Sequence, residues 1–372
     1  MKLVVSILLL LLSLTAFAKE SDWATPAKGY PPMDKSKNPD EKFIPNVISQ
    51  DTLGICYASA AATLINFEQC KWKNVDCKKQ PDSELISQLG IARYGSDNDP
   101  NSFAKLDDSF EKLEEGGTPA IVLNRITRGM YRLPSEECVS LEKIMSKDVI
   151  KSEGGGATRA QQQVWLDFKE HYLAYKKAKK EGCAQCASDV YARALDNVST
   201  NLALEDDPVN VDRVNQARLL TAFGKETFDE ALNTLLYPKK CGDKDNGIKY
   251  AGRSTETFQF PNVEKRPTTK EMNEKIVSIL ETKQPAILEG ICIEDCDTEK
   301  PGIHAVAIVG YRKVCNKNKC RYAYKIQNSA GKRWQELNND GWVEGENLLK
   351  NAPEAQVTWI GPWKTRTLKF DK

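Results

Sequence analysis

A chain of 372 residues is long enough for one large domain with insertions, or for two domains. Its formal net charge of +1 argues against a nucleic-acid surface and against a polybasic membrane patch. With 40% hydrophobic and 28% charged residues it reads as a globular protein, not as a disordered or membrane-embedded one.

Residues 1–18 depart from that average. Lys2 supplies a positive start, "LVVSILLLLLSL" is an apolar run, and Ala16, Phe17 and Ala18 place small residues where a signal peptidase reads them. The pattern predicts a cleavable signal peptide and a secreted or periplasmic protein, with no membrane association once the signal is removed. Residues 19–42, rich in Pro, Lys and Asp, read as an extended arm.

An oxidising compartment changes the meaning of the 11 cysteines. Near neighbours suggest bridges between Cys70 and Cys77, Cys183 and Cys186, Cys292 and Cys296, and Cys315 and Cys320. Cys138 and Cys241 then remain for a long-range bridge, although spacing does not fix connectivity. The odd count leaves a thiol over, and Cys56 is the cysteine without a near partner.

From Tyr57 to Glu68 there is no Gly or Pro, and Ala58, Ala61, Ala62 and Ile65 recur at helical spacing. Cys56 therefore opens a buried helix. A second helix is expected over Ser83–Arg93, and a third over 119–129 with Pro119 in its first turn. Residues 140–250 read as a helical insertion with its own small core. There, Val164, Phe168, Tyr172 and Tyr175 share one helix face, and Gly182 is a suitable stop. "CAQC" at 183–186 has redox-motif spacing, but no βαβ pattern surrounds it, so a local staple is expected. After Pro267, "TTKEMNEKIVSILETK" is amphipathic with Ile276, Ile279 and Leu280 facing inward. The runs "PAILEGICI", "HAVAIVGYRKV", "RYAYKIQNS" and "GWVEG" then predict an antiparallel sheet or partial barrel.

Cys56 can be a packed thiol, half of a disulfide or a nucleophile. A helix N-terminus favours a thiolate, and a neighbouring imidazolium favours it more. The chain has 2 histidines. His171 lies on a charged insertion helix and reads as a surface or half-buried residue. His304 opens a strand just after a glycine, where catalytic groups are presented. The Gln50 amide, six positions before Cys56, and the Cys56 N–H could meet an oxyanion. Asn328, after the next strand, could orient the His304 ring, and Trp334 is near enough in sequence to cover that pair.

"SQDTLGICYASAA" resembles the nucleophile block of the papain family of cysteine peptidases, with Gln50, Gly54, Cys56, Ala58 and Ser59 matching. "GGTPAIVLNRITRGMYRLPSEEC", "KQPAILEGICI", "HAVAIVGY" and "KIQNSAGKRW" are similar to further family blocks and occur in family order. The resemblance implies an α+β, papain-like two-lobed fold. A helical left lobe (43–139) and an antiparallel β-rich right lobe (251–372) would flank the α-helical insertion at 140–250. It implies Cys56 as nucleophile, His304 as general base and then acid, Asn328 as its orienting partner and Gln50 as oxyanion donor. Gly116 and Gly117 would form a substrate-binding wall, with no metal and no cofactor. The implied function is a secreted, monomeric cysteine endopeptidase acting on polypeptides through a thioester acyl-enzyme. A cysteine amidase or transpeptidase acting on cell-wall or isopeptide bonds could use the same triad, and a catalytically silent binding protein could keep the scaffold.

Departures from the family also matter. Tyr57 replaces the usual Trp, and Ala330 replaces the ring that shields the Asn–His bond, which would leave that bond wetter. The arm is too short for the usual helical inhibitory propeptide. The insertion is expected either to cap the cleft, restricting access or binding a protein inhibitor or partner, or to stabilise from a distance.

Overall fold

The computed structural model describes residues 40–50, 54–92, 116–128, 132–141, 157–201, 211–236, 247–250, 257–261, 266–294, 302–316, 319–352 and 354–361. The expected signal segment 1–18 and the arm up to residue 39 lie outside them. Among the described residues no helix is long and apolar enough to cross a membrane. The chain combines helices with antiparallel sheet, an α+β arrangement. It divides into two compact units. One holds 259–327 and 333–358; the other holds 40–258, 328–332 and the residues from Trp359 on.

In the second unit, helix α1 spans Cys56–Lys73. Its alanines are the strongest helix formers and leave room for close neighbours. Every residue from Cys56 to Phe67 is buried. Lys71 and Lys73 complement the negative end of the helix, and Asn74 closes it at φ 54°. The Cys70–Cys77 disulfide pins that end to a short 3₁₀ turn, Cys77–Lys79. Phe43 packs edge-on against Phe67 at 6.2 Å between ring centres.

The helix expected over 83–93 is shorter. Asp82–Glu84 form a 3₁₀ turn, and α2 covers only Gln88–Ala92; Arg93 lies outside the described residues. The buried Asn66 amide explains the difference. Its Oδ1 accepts from the Ile86 N–H at 2.8 Å, and its Nδ2 donates to the Ile86 carbonyl at 3.0 Å. Both backbone groups of Ile86 are thereby withdrawn from a helical ladder. Ile86 instead forms a β-bridge with Ser135. Helix α3, Pro119–Arg128, begins at the expected proline.

The segment expected to be an insertion contributes α4 (Ala157–Lys180), α5 (Ala184–Asn201), α6 (Val211–Phe223) and α7 (Phe228–Leu236). Phe168 and Tyr172 are buried, and Phe223 lies 5.8 Å from Phe168 and 4.9 Å from Tyr175 between ring centres. Tyr172 Oη donates to the carbonyls of Lys225 and Glu226 at 2.9 and 2.8 Å, tying α4 to the α6–α7 turn. His171 is half-buried on α4. The expected small core is thus an aromatic cluster.

A six-stranded sheet runs in the order β3-β8-β4-β5-β6-β7, with β4 to β7 in the first unit. The strands are β3 (Thr257–Phe260), β4 (Ala286–Glu294), β5 (Gly302–Asn316), β6 (Lys319–Gln327), β7 (Trp342–Glu344) and β8 (Gln356–Ile360). A two-stranded ribbon of Arg132–Leu133 (β1) and Ile248–Lys249 (β2) belongs to the second unit. Helix α8, Thr269–Glu281, starts with a capping box between Thr268 and Glu271 and buries Ile276, Ile279 and Leu280. Each such side chain contributes about 1.5–3 kcal/mol. Tyr324 Oη donates to Asn273 Oδ1, and Tyr311 Oη donates to Glu281 Oε1 at 2.9 Å, so α8 is fixed over β5 and β6.

Glu289 lies on β4, opposite Ala305 of β5. Thr358 Oγ1 donates to its Oε1 at 3.1 Å. Burial pushes its carboxyl up from 4.5 to about 7, against the opposing effect of bonds from Thr358 and Gln259. Between those values the unfolded chain releases the proton and the folded chain holds it. Stability therefore falls as pH rises through this window, by up to about 3 kcal/mol. Glu289→Gln keeps an acceptor for Thr358 and removes that dependence. Denaturant unfolding of the variant and the native chain should show the variant's relative gain at about pH 8, shrinking toward zero near about pH 4.5. An equal difference at both pH values would refute the assignment.

Candidate active site

Cys56 is the first residue of α1, and its side chain is 9% exposed. Among the described residues it is the one cysteine held as a thiol. The expected Cys70–Cys77, Cys183–Cys186 and Cys315–Cys320 bridges are present. Cys138 and Cys292 are also disulfide-bonded; their expected partners, Cys241 and Cys296, lie outside the described residues. Ile55 precedes α1 without a side-chain cap, and no acidic residue occupies the first turn. No carboxylate of the first turn therefore offsets the partial positive charge of the helix end.

The glycine pair packs against this turn. Gly116 has φ +92°, which a side chain would strain, and a Cβ there would lie 3.3 Å from the Gly54 carbonyl oxygen. A Cβ at Gly117 would lie 2.9 Å from the Tyr57 ring. Tyr57 is itself fixed by donating from Oη to the Ala92 carbonyl at 3.2 Å. Gly116 and Gly117 thus pack against Gly54 and Tyr57, residues on either side of Cys56.

Gln50 and Asn328 come together through the residue after Asn328. The Gln50 N–H donates to the Ser329 carbonyl at 2.8 Å, and Ser329 Oγ donates to Gln50 Oε1. Next to this pair, Ser49 and Ala330 form an antiparallel bridge. Asn328 is buried. Its backbone carbonyl accepts from the Gly331 N–H at 3.1 Å, and its Oδ1 accepts from the Ala330 N–H at 3.3 Å. A carbonyl oxygen has two lone pairs, so this bond is compatible with a further donor. Ala330 is exposed.

One link was not visible in the sequence. Gln88 of α2 donates from Nε2 to the Ser49 carbonyl at 2.6 Å and accepts from Ser59 Oγ at its Oε1. Its own N–H donates to Glu136 Oε1 at 3.1 Å. Ser59 lies one turn beyond Cys56 on α1. The series Ser59–Gln88–Ser49–Ala330 therefore connects the Cys56 helix to the Asn328 loop. No local pattern singles out Gln88, because its partners are dispersed along the chain.

His304 is in the other unit, on β5 opposite Ile291 of β4. It is 7% exposed, while its neighbour Ile303 is 45% exposed. Trp334 is half-buried on the short helix α9, Lys332–Leu337.

Gln88→Ala would strip partners from Ser59 and from the Ser49 carbonyl, both within hydrogen-bonded surroundings. Unfolding in denaturant should show a loss of about 2–4 kcal/mol. A loss below about 0.5 kcal/mol would mean that water replaces the amide.

The chain matches no protein-family model and no curated protein sequence.

Proposed function

We propose that this protein is a secreted cysteine peptidase of papain-like architecture, acting on polypeptides. The observation that carries the reading is the thiol of Cys56. It is held at the uncapped start of a long buried helix in a chain whose other described cysteines are bridged. The link between Gln50 and the Asn328 loop supports it, because residues of two separate sequence blocks meet there.

In this reading Cys56 and His304 work as a thiolate–imidazolium pair. The thiolate attacks the scissile carbonyl carbon, and the electron pair of the C=O bond moves onto oxygen. The Cys56 N–H and the Gln50 amide donate to that oxyanion. Ser329 bonds the acceptor end of the Gln50 amide, which leaves Nε2 as the end suited to donate. His304 gives its proton to the leaving amine, and a thioester remains on Cys56. Water, deprotonated by His304, then releases the acid and restores the thiol. Asn328 holds the His304 ring in the required tautomer. Gly116 and Gly117 leave the Cys56 turn open to an extended substrate backbone.

The exposed Ala330, at a position where the papain-family pattern carries a ring, favours a second reading, a catalytically silent scaffold that binds polypeptides.

An epoxysuccinyl thiol probe at mildly acidic pH, with mass-spectrometric location of the adduct, separates these readings. Selective modification of Cys56 that is lost in His304→Ala is the expected result. A folded chain whose Cys56 reacts no faster than a small free thiol would support the silent scaffold. For the active enzyme, Cys56→Ala should abolish peptide hydrolysis with the fold intact. Gln50→Ala should lower kcat by roughly 10²–10³.

A further inference from the structure

We infer that the Cys183–Cys186 bridge is a redox-active disulfide that exchanges with dithiol groups of polypeptides. This lies outside the proposed peptidase site and does not depend on it. Cys183 directly precedes α5, and Cys186 is the third residue of that helix. The bridge therefore closes a single turn and joins no two elements. A loop this short takes little entropy from the unfolded chain, so the bridge stabilises little. The helical hairpin has other ties. The Cys183 N–H donates to the Ala178 carbonyl at 3.0 Å, the Gly182 N–H donates to the Lys179 carbonyl at 3.2 Å, and Phe223 contacts both Tyr175 of α4 and Tyr191 of α5.

The other located bridges are placed differently. Cys70 and Cys77 are both buried and join α1 to a separate turn. Cys315 is buried and pairs across the β5–β6 hairpin. Cys186 is instead exposed, and Cys183 is half-buried. Exposed bridges are the labile ones, and Cys-x-x-Cys at a helix start is a setting that lowers thiol pKa.

The two sulfurs have distinct roles. The Cys186 N–H donates to Cys183 Sγ at 3.2 Å. A substrate thiolate attacks the accessible Cys186 Sγ. The S–S bond breaks, and its electron pair leaves on Cys183 Sγ, where that N–H and the helix end stabilise the charge. The second substrate thiolate then attacks the substrate sulfur of the mixed disulfide. It expels Cys186 as a thiolate and forms the substrate disulfide. Two electrons pass from the substrate to the bridge, and the two protons released by the substrate thiols are taken up by Cys183 and Cys186.

The test is a glutathione titration of the native chain at fixed pH, quenched with acid, alkylated and read bridge by bridge by mass spectrometry. Cys183–Cys186 should open in buffers at least about tenfold less reducing than those that open Cys70–Cys77 and Cys315–Cys320. Cys56→Ala chain, which lacks the proposed nucleophile, should oxidise one equivalent of a model dithiol peptide. Cys186→Ser in that background should not. Opening only together with the other bridges would overturn the proposal, as would loss of insertion helicity in Cys183→Ser/Cys186→Ser, since either result makes the bridge a staple. Both readouts follow sulfur and not peptide hydrolysis, so failure of the peptidase reading leaves them intact.

Discussion

The arrangement of the candidate site depends on a short antiparallel pairing of Ser49 and Gln50 with Ser329 and Ala330, in which Gln50 and Ser329 are 279 positions apart. A contact of that separation must overcome a large loop-closure entropy, although the cost grows only slowly with loop length. A backbone bond and a side-chain bond between the same two residues make it directional. They set where the Gln50 amide points and hold the segment that begins with Asn328. Asn328 directly follows Gln327, the last residue of β6.

Around α1 the same logic runs through buried polar groups. Asn66, Ser59 and Gln88 would each be costly inside an apolar core if left alone. Asn66 bonds both backbone groups of Ile86, and Gln88 bridges Ser49 and Ser59. Such contacts add little net stability when satisfied but penalise any alternative packing heavily. They specify one arrangement where the many small alanines of α1 would tolerate several.

The elements with strong local periodicity were legible in the sequence. Helix α1, the insertion helices, α8 and strands β4 to β7 each carry a pattern that one segment suffices to show. The Gly116–Gly117 pair stood out only through the family resemblance; its packing against the Gly54 carbonyl and the Tyr57 ring came from the structure. Strand β8 was not, because "QVTWI" pairs with segments distant in sequence and is buried at Val357, Thr358 and Ile360 without clean alternation. The truncated helix before α2 was missed for a related reason: the residue that breaks it, Asn66, lies twenty positions upstream. Gln88 and Ser329 carry no signature of their own; their roles exist only through tertiary partners.

Geometry also accounts for the survival of one thiol among so many bridges. Cys70 lies on the same helix as Cys56, fourteen residues on. At about 1.5 Å per residue that separates their backbones by about 21 Å, whereas a disulfide needs about 4.4–6.8 Å between Cα atoms. A rigid helix therefore keeps these two cysteines apart however oxidising the surroundings. Cys70 is in turn held by Cys77, 5.4 Å away between Cα atoms. The low exposure of Cys56 also limits exchange with small disulfides, since reaction requires access along the line of attack. A buried thiol at a helix start and an exposed bridge at another helix start thus share the same favourable field. They differ in the access that decides which partners reach the sulfur.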